Sequence, residues 1–329
     1  DALNTWQIRS GTTAAWRLLQ SLARDANTSH QAASNAALLR LFGKNPDGTD
    51  NPEWEVLLDI ENYIDYLIMN FYGGNVDWPG RNYYAGRQRG PESTGFKFYG
   101  WDTEKILDHG EGSTLNTNRT GVREGVASSY YALLANDEFR LMFADHVQRH
   151  FSRGGVFYVD PNHPEWDPVH PERNLPAAQY DELAQQVESA LIGESARWGD
   201  TQSTSTRNDG RTYTLRNWQA KRDSLMANFF PRRSEIVLNQ FVNAGLYPSI
   251  AAPVFSQHGG RIDPGSELTL QAPGTVFYTL DGTDPRLSAL SPGVDVAAIA
   301  PHAQVYTGPI TIDGNTVVKA RTLLDGQWS

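Results

Sequence analysis

The run from Val56 to Phe71 places the tightest limit on what this chain can fold into. Val56, Leu57, Ile60, Ile64, Leu67, Ile68 and Phe71 recur at helical spacing. They cover much of the circumference, so the pattern predicts a helix at the centre of a core rather than on a surface. Asn51 suits its N-cap and Pro52 its first helical position. Gly73-Gly74 stops it, as a left-handed cap does. A polar loop follows and carries Asp77 and Asn82. Arg81 to Arg87 then reads as a strand, Gln88 to Gly95 as a turn-rich connector, and Phe96 to Trp101 as the returning strand that delivers Asp102.

Further helices flank this centre. Thr12 to Arg24 is amphipathic, with Trp16, Leu19, Leu22 and Ala23 on one face and Thr12 or Thr13 as cap. Ala32 to Phe42, Val126 to Leu134, Glu138 to Phe151 and Pro176 to Ile192 follow the same period. Asn217 to Phe230 and Arg232 to Ala244 read as two helices split at Pro231. Asp108 to Thr120 reads as an exposed loop, and Gly199 to Gly210 as a polar, mobile one. From Val254 the helical period gives way to short alternating strands: 268–270, 276–280, 310–312 and 317–321, with turns at Asp281-Gly282, Asp313-Gly314 and Asp325-Gly326. The expected fold class is therefore α+β, a mostly helical lobe over 1–250 with a small β-hairpin region, then a small antiparallel β-sandwich over 251–329.

A net charge of −10 argues against binding duplex nucleic acid, which needs a basic stripe. The chain has no cysteine, which rules out disulfides and thiolate metal sites. It has no apolar run long enough for a membrane span. Asp1-Ala2-Leu3-Asn4 reads like the middle of a longer protein, and the sandwich pattern reads as truncated before its last strand.

Asp77 and Asn82 stand in a D-x-x-x-x-N spacing, and Asp102 follows two strands later. The second half of a protein-kinase catalytic loop has that spacing, with an acid to orient a hydroxyl and an Asn and Asp to hold Mg²⁺. Asx residues also suit turns, so spacing alone leaves both readings open, with Asp77 and Asn82 as turn residues and Asp102 capping a following helix. The run Asn62-Tyr63 … Asn75-Val76-Asp77-Trp78 … Arg81-Asn82-Tyr83-Tyr84 … Trp101-Asp102 resembles the spore coat CotH kinase family. The resemblance covers roughly Asp1 to Tyr247. It implies a secreted or surface-associated atypical kinase that uses ATP and Mg²⁺ on a protein Ser or Thr hydroxyl. It further implies Asp77 as the catalytic acid-base residue, and Asn82 and Asp102 as metal ligands. Asn75-Val76 stands where an ordinary kinase has His-Arg. No glycine-rich nucleotide loop precedes this region and no strand lysine is available for the α/β-phosphates, so those parts are expected upstream of Asp1.

Tyr278-Thr279-Leu280-Asp281-Gly282-Thr283-Asp284-Pro285-Arg286, with Val317 to Arg321, resembles the β-sandwich module at the C-terminus of chitobiases and β-hexosaminidases. Asp281, Gly282, Thr283 and Asp284 read first as turn chemistry; the resemblance leaves Ca²⁺ or glycan binding, and contact with an extracellular matrix, open and is silent about catalysis. His163, Glu165, Asp167 and His170 form an acidic loop whose prolines favour a solvated turn over a metal site. His146 and His150, at i and i+4, lack a neighbouring Glu in an H-E-x-x-H arrangement and read as two surface histidines. Glu104 reads as a helix-start charge. The rival functions are a non-catalytic kinase-like scaffold and a carbohydrate-active enzyme, the latter requiring two carboxylates across a sugar-sized groove.

Overall fold

The computed structural model describes residues 8–90, 92–109, 112–200 and 212–329. The polar stretch 201–210 and the first residues of the chain, both singled out above, lie outside the described residues. In chain order the elements are α1 (Ala14–Asp25), α2 (Gln31–Leu41), β1 (Val56–Leu58), α3 (Ile60–Gly73), β2 (Tyr83–Gly86) and β3 (Thr94–Gly100). There follow α4 (Ala127–Leu133), α5 (Asp137–Phe151), α6 (Leu175–Trp198), α7 (Leu215–Ser224) and α8 (Phe230–Asn243). Strands complete the chain: β4 (Val254–Phe255), β5 (Ser266–Leu268), β6 (Leu270–Gln271), β7 (Thr275–Thr279), β8 (Gln304–Val305), β9 (Ile310–Ile312), β10 (Lys319–Leu324) and β11 (Gln327–Trp328). The fold is α+β, with helices first and small antiparallel sheets after them. Among the described residues no helix is long and apolar enough to cross a membrane.

The central helix is α3, and it begins later than the periodicity predicts. Val56 to Leu58 is a strand, parallel to β3 through Val56–Thr94 and Leu58–Phe96. Leu57 and Leu58 are consecutive and both buried, which a strand covered on two faces allows. The helix cap is Asp59, whose carboxylate accepts from the Asn62 amide at 3.1 Å. Asn51, the expected cap, instead closes a local turn on the Glu53 amide at 2.9 Å. Gly95 lets β1 and β3 meet: a Cβ there would lie 2.5 Å from the Leu58 carbonyl carbon. The hairpin thus becomes a three-stranded sheet in the order β1-β3-β2.

Around α3, Tyr63, Ile64, Tyr66, Leu67, Ile68, Phe71 and Tyr72 are all buried in one core with residues of α1, α2, α4, α5 and α8. Phe71 meets the rings of Trp78, Tyr130, Phe143 and Phe241 at centroid distances of 5.4–6.3 Å. Helices α7 and α8 do not break at Pro231. A π-helical turn, Leu225–Phe229, joins them, and Pro231 sits in the first turn of α8, where its missing N–H costs no ladder bond.

The last helix ends at Asn243 and the first sandwich strand starts at Val254. A four-stranded sheet in the order β11-β10-β7-β8 packs with the pairs β4-β6 and β5-β9. Leu268, Leu270, Val276, Ile310 and Ile312 fill the space between. Asp325-Gly326, both at positive φ (50° and 77°), forms the two-residue hairpin turn between β10 and β11.

Two buried arginines tie this unit to the helices. Arg286 makes a bidentate pair with Glu138 of α5 at 2.6 and 2.8 Å, and the Ala289 amide and Ser288 hydroxyl complete the carboxylate. Arg321 bridges Asp284 and, at 2.6 Å, Asp145 of α5. Burial alone pushes the Asp284 carboxyl up, but the Arg321 hydrogen bonds and charge outweigh it and bring it down to about 2.

Two outcomes follow from these ties. Glu138→Gln leaves Arg286 buried beside a neutral partner and is expected to cost about 3–5 kcal/mol in urea unfolding. Because the Asp284 carboxyl is depressed, its contribution is present above the unfolded value near 3.9 and lost as pH falls toward about 2. Acid unfolding followed from pH ~5 to ~2 should therefore be shallower in Asp284→Asn than in the parent.

Candidate functional site

The loop from Gly74 to Asn82 is built on the end of α3. Gly74, at φ 63°, is the left-handed cap that turns the chain out of the helix. The next turn is held from inside. Asn75 is fully buried; its side-chain Nδ2 donates to Asn70 Oδ1 at 2.9 Å, and Asn70 Nδ2 donates to the Tyr66 backbone carbonyl at 2.9 Å. The Asn75 side-chain oxygen in turn accepts from the Asp77 amide at 3.1 Å. Asn75 therefore orients the backbone of Asp77, and a neutral carboxamide suffices for that task. Trp78 packs beneath the loop and donates from Nε1 to the Tyr66 hydroxyl at 2.6 Å. Burial pushes that hydroxyl up, so it stays neutral there.

Arg233 fixes the frame. Its side chain is fully buried on α8, on the stripe it shares with Val237 and Phe241. The guanidinium donates to the Phe71 and Tyr72 carbonyls at the end of α3, at 2.7 and 2.8 Å. It also donates to the Leu115 and Thr117 carbonyls at 2.6 and 3.0 Å. Four carbonyls of α3 and the 112–120 loop are thus met by one fork; the Phe71 carbonyl also accepts from the Gly74 amide and the Thr117 carbonyl from Gln240. Burial pulls the guanidinium down to about 10, so it remains a cation at neutral pH. Arg119 adds a bond to the Trp78 carbonyl from the other side of the loop.

Asp77 is mostly buried and has both oxygens engaged. Oδ1 accepts from Arg81 Nε at 2.8 Å and Oδ2 from Asn82 Nδ2 at 3.0 Å. Asn82 stands at φ 60° and Asp102 at φ 51°, left-handed positions that Asn and Asp tolerate better than most residues. The β2–β3 register pairs Tyr83 with Gly100, so Asn82 and Asp102 lie at one end of the ladder. The structure therefore brings Asp77 and Asn82 into direct contact and sets Asp102, exposed, at the same sheet end.

Other sequence expectations are corrected. No helix follows Asp102: Asp102, Leu107 and Asp108 all have positive φ, which a right-handed helix forbids, so Asp102 is not a cap and Glu104 is not a helix-start charge. His146 is not a surface residue: it is only 5% exposed and faces Asp65 of α3. In the acidic loop, Asp167 accepts from the Val169 amide and His170 pairs with Glu172 at 3.4 Å. Sequence reasoning missed Arg233 and the positioning role of Asn75. A lone Arg at i, i+4, i+8 spacing with Val237 and Phe241 was the available signal for the first.

Arg233→Met is expected to lower stability by at least about 2–3 kcal/mol, because it orphans buried carbonyls. Arg233→Lys should recover less than half of that loss, since an ammonium lacks the planar fork. Urea unfolding of the three proteins checks both, and a Met variant as stable as the parent would refute this account of the loop.

Two family models match the chain. No curated protein and no solved structure matches it significantly. Residues 6–153, which include Asp77, Asn82 and Asp102, match the CotH kinase protein family, and residues 258–328 match the chitobiase/beta-hexosaminidase C-terminal domain. In chain order, a segment similar to the CotH kinase protein family is thus followed by one similar to the chitobiase/beta-hexosaminidase C-terminal domain.

Proposed function

We propose that the loop from Asn75 to Asn82 and the turn at Asp102 form the chemical end of a phosphoryl-transfer site. In this reading it moves the γ-phosphoryl group of ATP to a Ser or Thr hydroxyl of a protein. The observation that carries the reading is the Asp77–Asn82 hydrogen bond at 3.0 Å, on a ladder whose register sets Asp102 at the same end. Kinase-like chemistry is what the CotH match suggests.

Asp77 orients the acceptor hydroxyl and takes its proton. Arg81, at 78% exposure the looser of its two partners, gives way to that hydroxyl, while Asn82 keeps Oδ2 in place. Asn82 donates to Asp77 through its amide nitrogen, which leaves its carbonyl oxygen as a hard ligand. Asp102 offers a carboxylate. Oxygen donors of this kind suit Mg²⁺. When bound, that ion neutralises charge on the nucleotide phosphates. Residues 1–250 act as the catalytic lobe. Residues 251–329 act as an accessory module at or outside the cell surface, in contact with matrix or glycan.

The test is transfer from labelled ATP by a protein extended ahead of residue 1. Asp102→Ala is expected to lose both metal–nucleotide binding and transfer. Asp77→Asn should keep binding while turnover falls by about 10²–10⁴-fold. Arg81→Ala should leave stability within about 1 kcal/mol of the parent, as an exposed ion pair does. Full turnover by Asp77→Asn removes Asp77 from its role. An extended protein that neither binds nucleotide nor transfers phosphate favours a non-catalytic scaffold attached through its sandwich.

A further inference from the structure

A second cluster of chemistry-bearing side chains lies where α3 packs on α5. Glu61 and Asp65 are one turn apart on α3, and His146 and His150 are one turn apart on α5, so each pair shares a helix face. His146 Nδ1 lies 2.5 Å and His150 Nε2 2.7 Å from the same oxygen, Asp65 Oδ1. One ligand atom from each of the three residues falls within 4.8 Å of the others. The His146 and His150 side chains are 6% and 19% exposed, and Asp65 opens to solvent at 43%. The far nitrogen of His146, Nε2, lies 3.4 Å from Glu61 Oε2.

The hydrogen bonds at His146 conflict. Its Nδ1 is within reach of an acceptor, Asp65 Oδ1, and of a donor, Arg149 Nη2 at 2.8 Å. A ring N–H there suits the carboxylate and opposes the guanidinium; a bare lone pair does the reverse. A metal ion resolves this. The two imidazole lone pairs and the carboxylate then point at one cation, and His146 donates Nε2–H to Glu61. Ligating histidines are commonly oriented in that way by a carboxylate behind them. Arg149, half exposed, gives way toward solvent.

We propose that Asp65 Oδ1, His146 Nδ1 and His150 Nε2 form a site for a divalent transition-metal ion, Zn²⁺ by its donor set, which clamps α3 to α5. Two imidazoles and one carboxylate suit Zn²⁺ at bonds of about 2.0–2.2 Å, with water at the fourth position. They do not suit Mg²⁺, which takes oxygen ligands. The site is separate from the Asp77 loop, but α3 leads directly into that loop, so the clamp steadies the helix that carries it.

The test is Zn²⁺ titration of chelator-treated protein by calorimetry, with the visible absorption of Co²⁺ as a report on the ligands. One Zn²⁺ per chain is expected, with a rise in thermal midpoint and no displacement by excess Mg²⁺. Asp65→Asn and His150→Ala should each weaken binding at least about tenfold and abolish the rise. Circular dichroism without zinc shows whether each variant folds. If either does not, Glu61→Gln, at an exposed site outside the ligand atoms, should still weaken Zn²⁺ about tenfold. Asp102→Asn should bind Zn²⁺ as the parent does. A parent that takes up no Zn²⁺ saturably overturns the proposal, as does undiminished uptake in both ligand variants or loss of uptake in Asp102→Asn.

Discussion

The guanidinium of Arg233 is the interaction on which the site depends. A helix that ends inside a core leaves its last carbonyls without amide partners and without water. In α3 Arg233 reaches the Tyr72 carbonyl and, beside the Gly74 amide at 3.2 Å, the Phe71 carbonyl from α8. The same fork takes the Leu115 and Thr117 carbonyls, so the end of α3, the loop 112–120 and α8 share one anchor. Everything that orients Asp77 is downstream of it: the Gly74 turn, the Asn70–Asn75 bond and the Asn75 bond to the Asp77 amide. The core is apolar almost throughout. One buried cation is tolerated in it because its hydrogen bonds are made to carbonyl dipoles rather than left open.

The same device recurs where the strands meet the helices. Arg286 and Arg321 are nearly buried, and each is met by carboxylates of α5 or its own module. Helix α5 therefore faces three ways. Its apolar side, through Phe139, Phe143 and Val147, packs into the core around α3. Glu138 and Asp145 hold the sandwich. His146 and His150 meet Asp65. A helix bound on so many sides moves little, which suits a scaffold that must keep α3 and its loop in register.

Much of this was legible in the residues. The apolar period marked α3 as central, and the double glycine marked its end. The two strands with a turn-rich connector gave the hairpin, and its register explains why Asn82 and Asp102 share an end. Short-range rules govern such features, and their partners are close in sequence. The start of α3 was misread because Val56 to Leu58 fits a helical period as well as a buried strand, and only the distant β3 decides between them. Pro231 was misread as a break because a π-helical turn ahead of it absorbs the missing donor. His146 was misread as exposed because its burial comes from α3, some eighty residues earlier.

The sequence by itself determined the order of helices and strands, the cap that ends α3 and the D-x-x-x-x-N spacing that lets Asn82 fold back on Asp77. Each rests on backbone preference or on residues a few positions apart, where chain connectivity keeps the partners close. Only the tertiary structure decided which polar groups are buried and what answers them: Arg233 on the α3 carbonyls, Glu138 on Arg286, and Asp65 between two histidines. The cost of burying a charge depends on what surrounds it, and those surroundings come from helices and strands far apart in the chain.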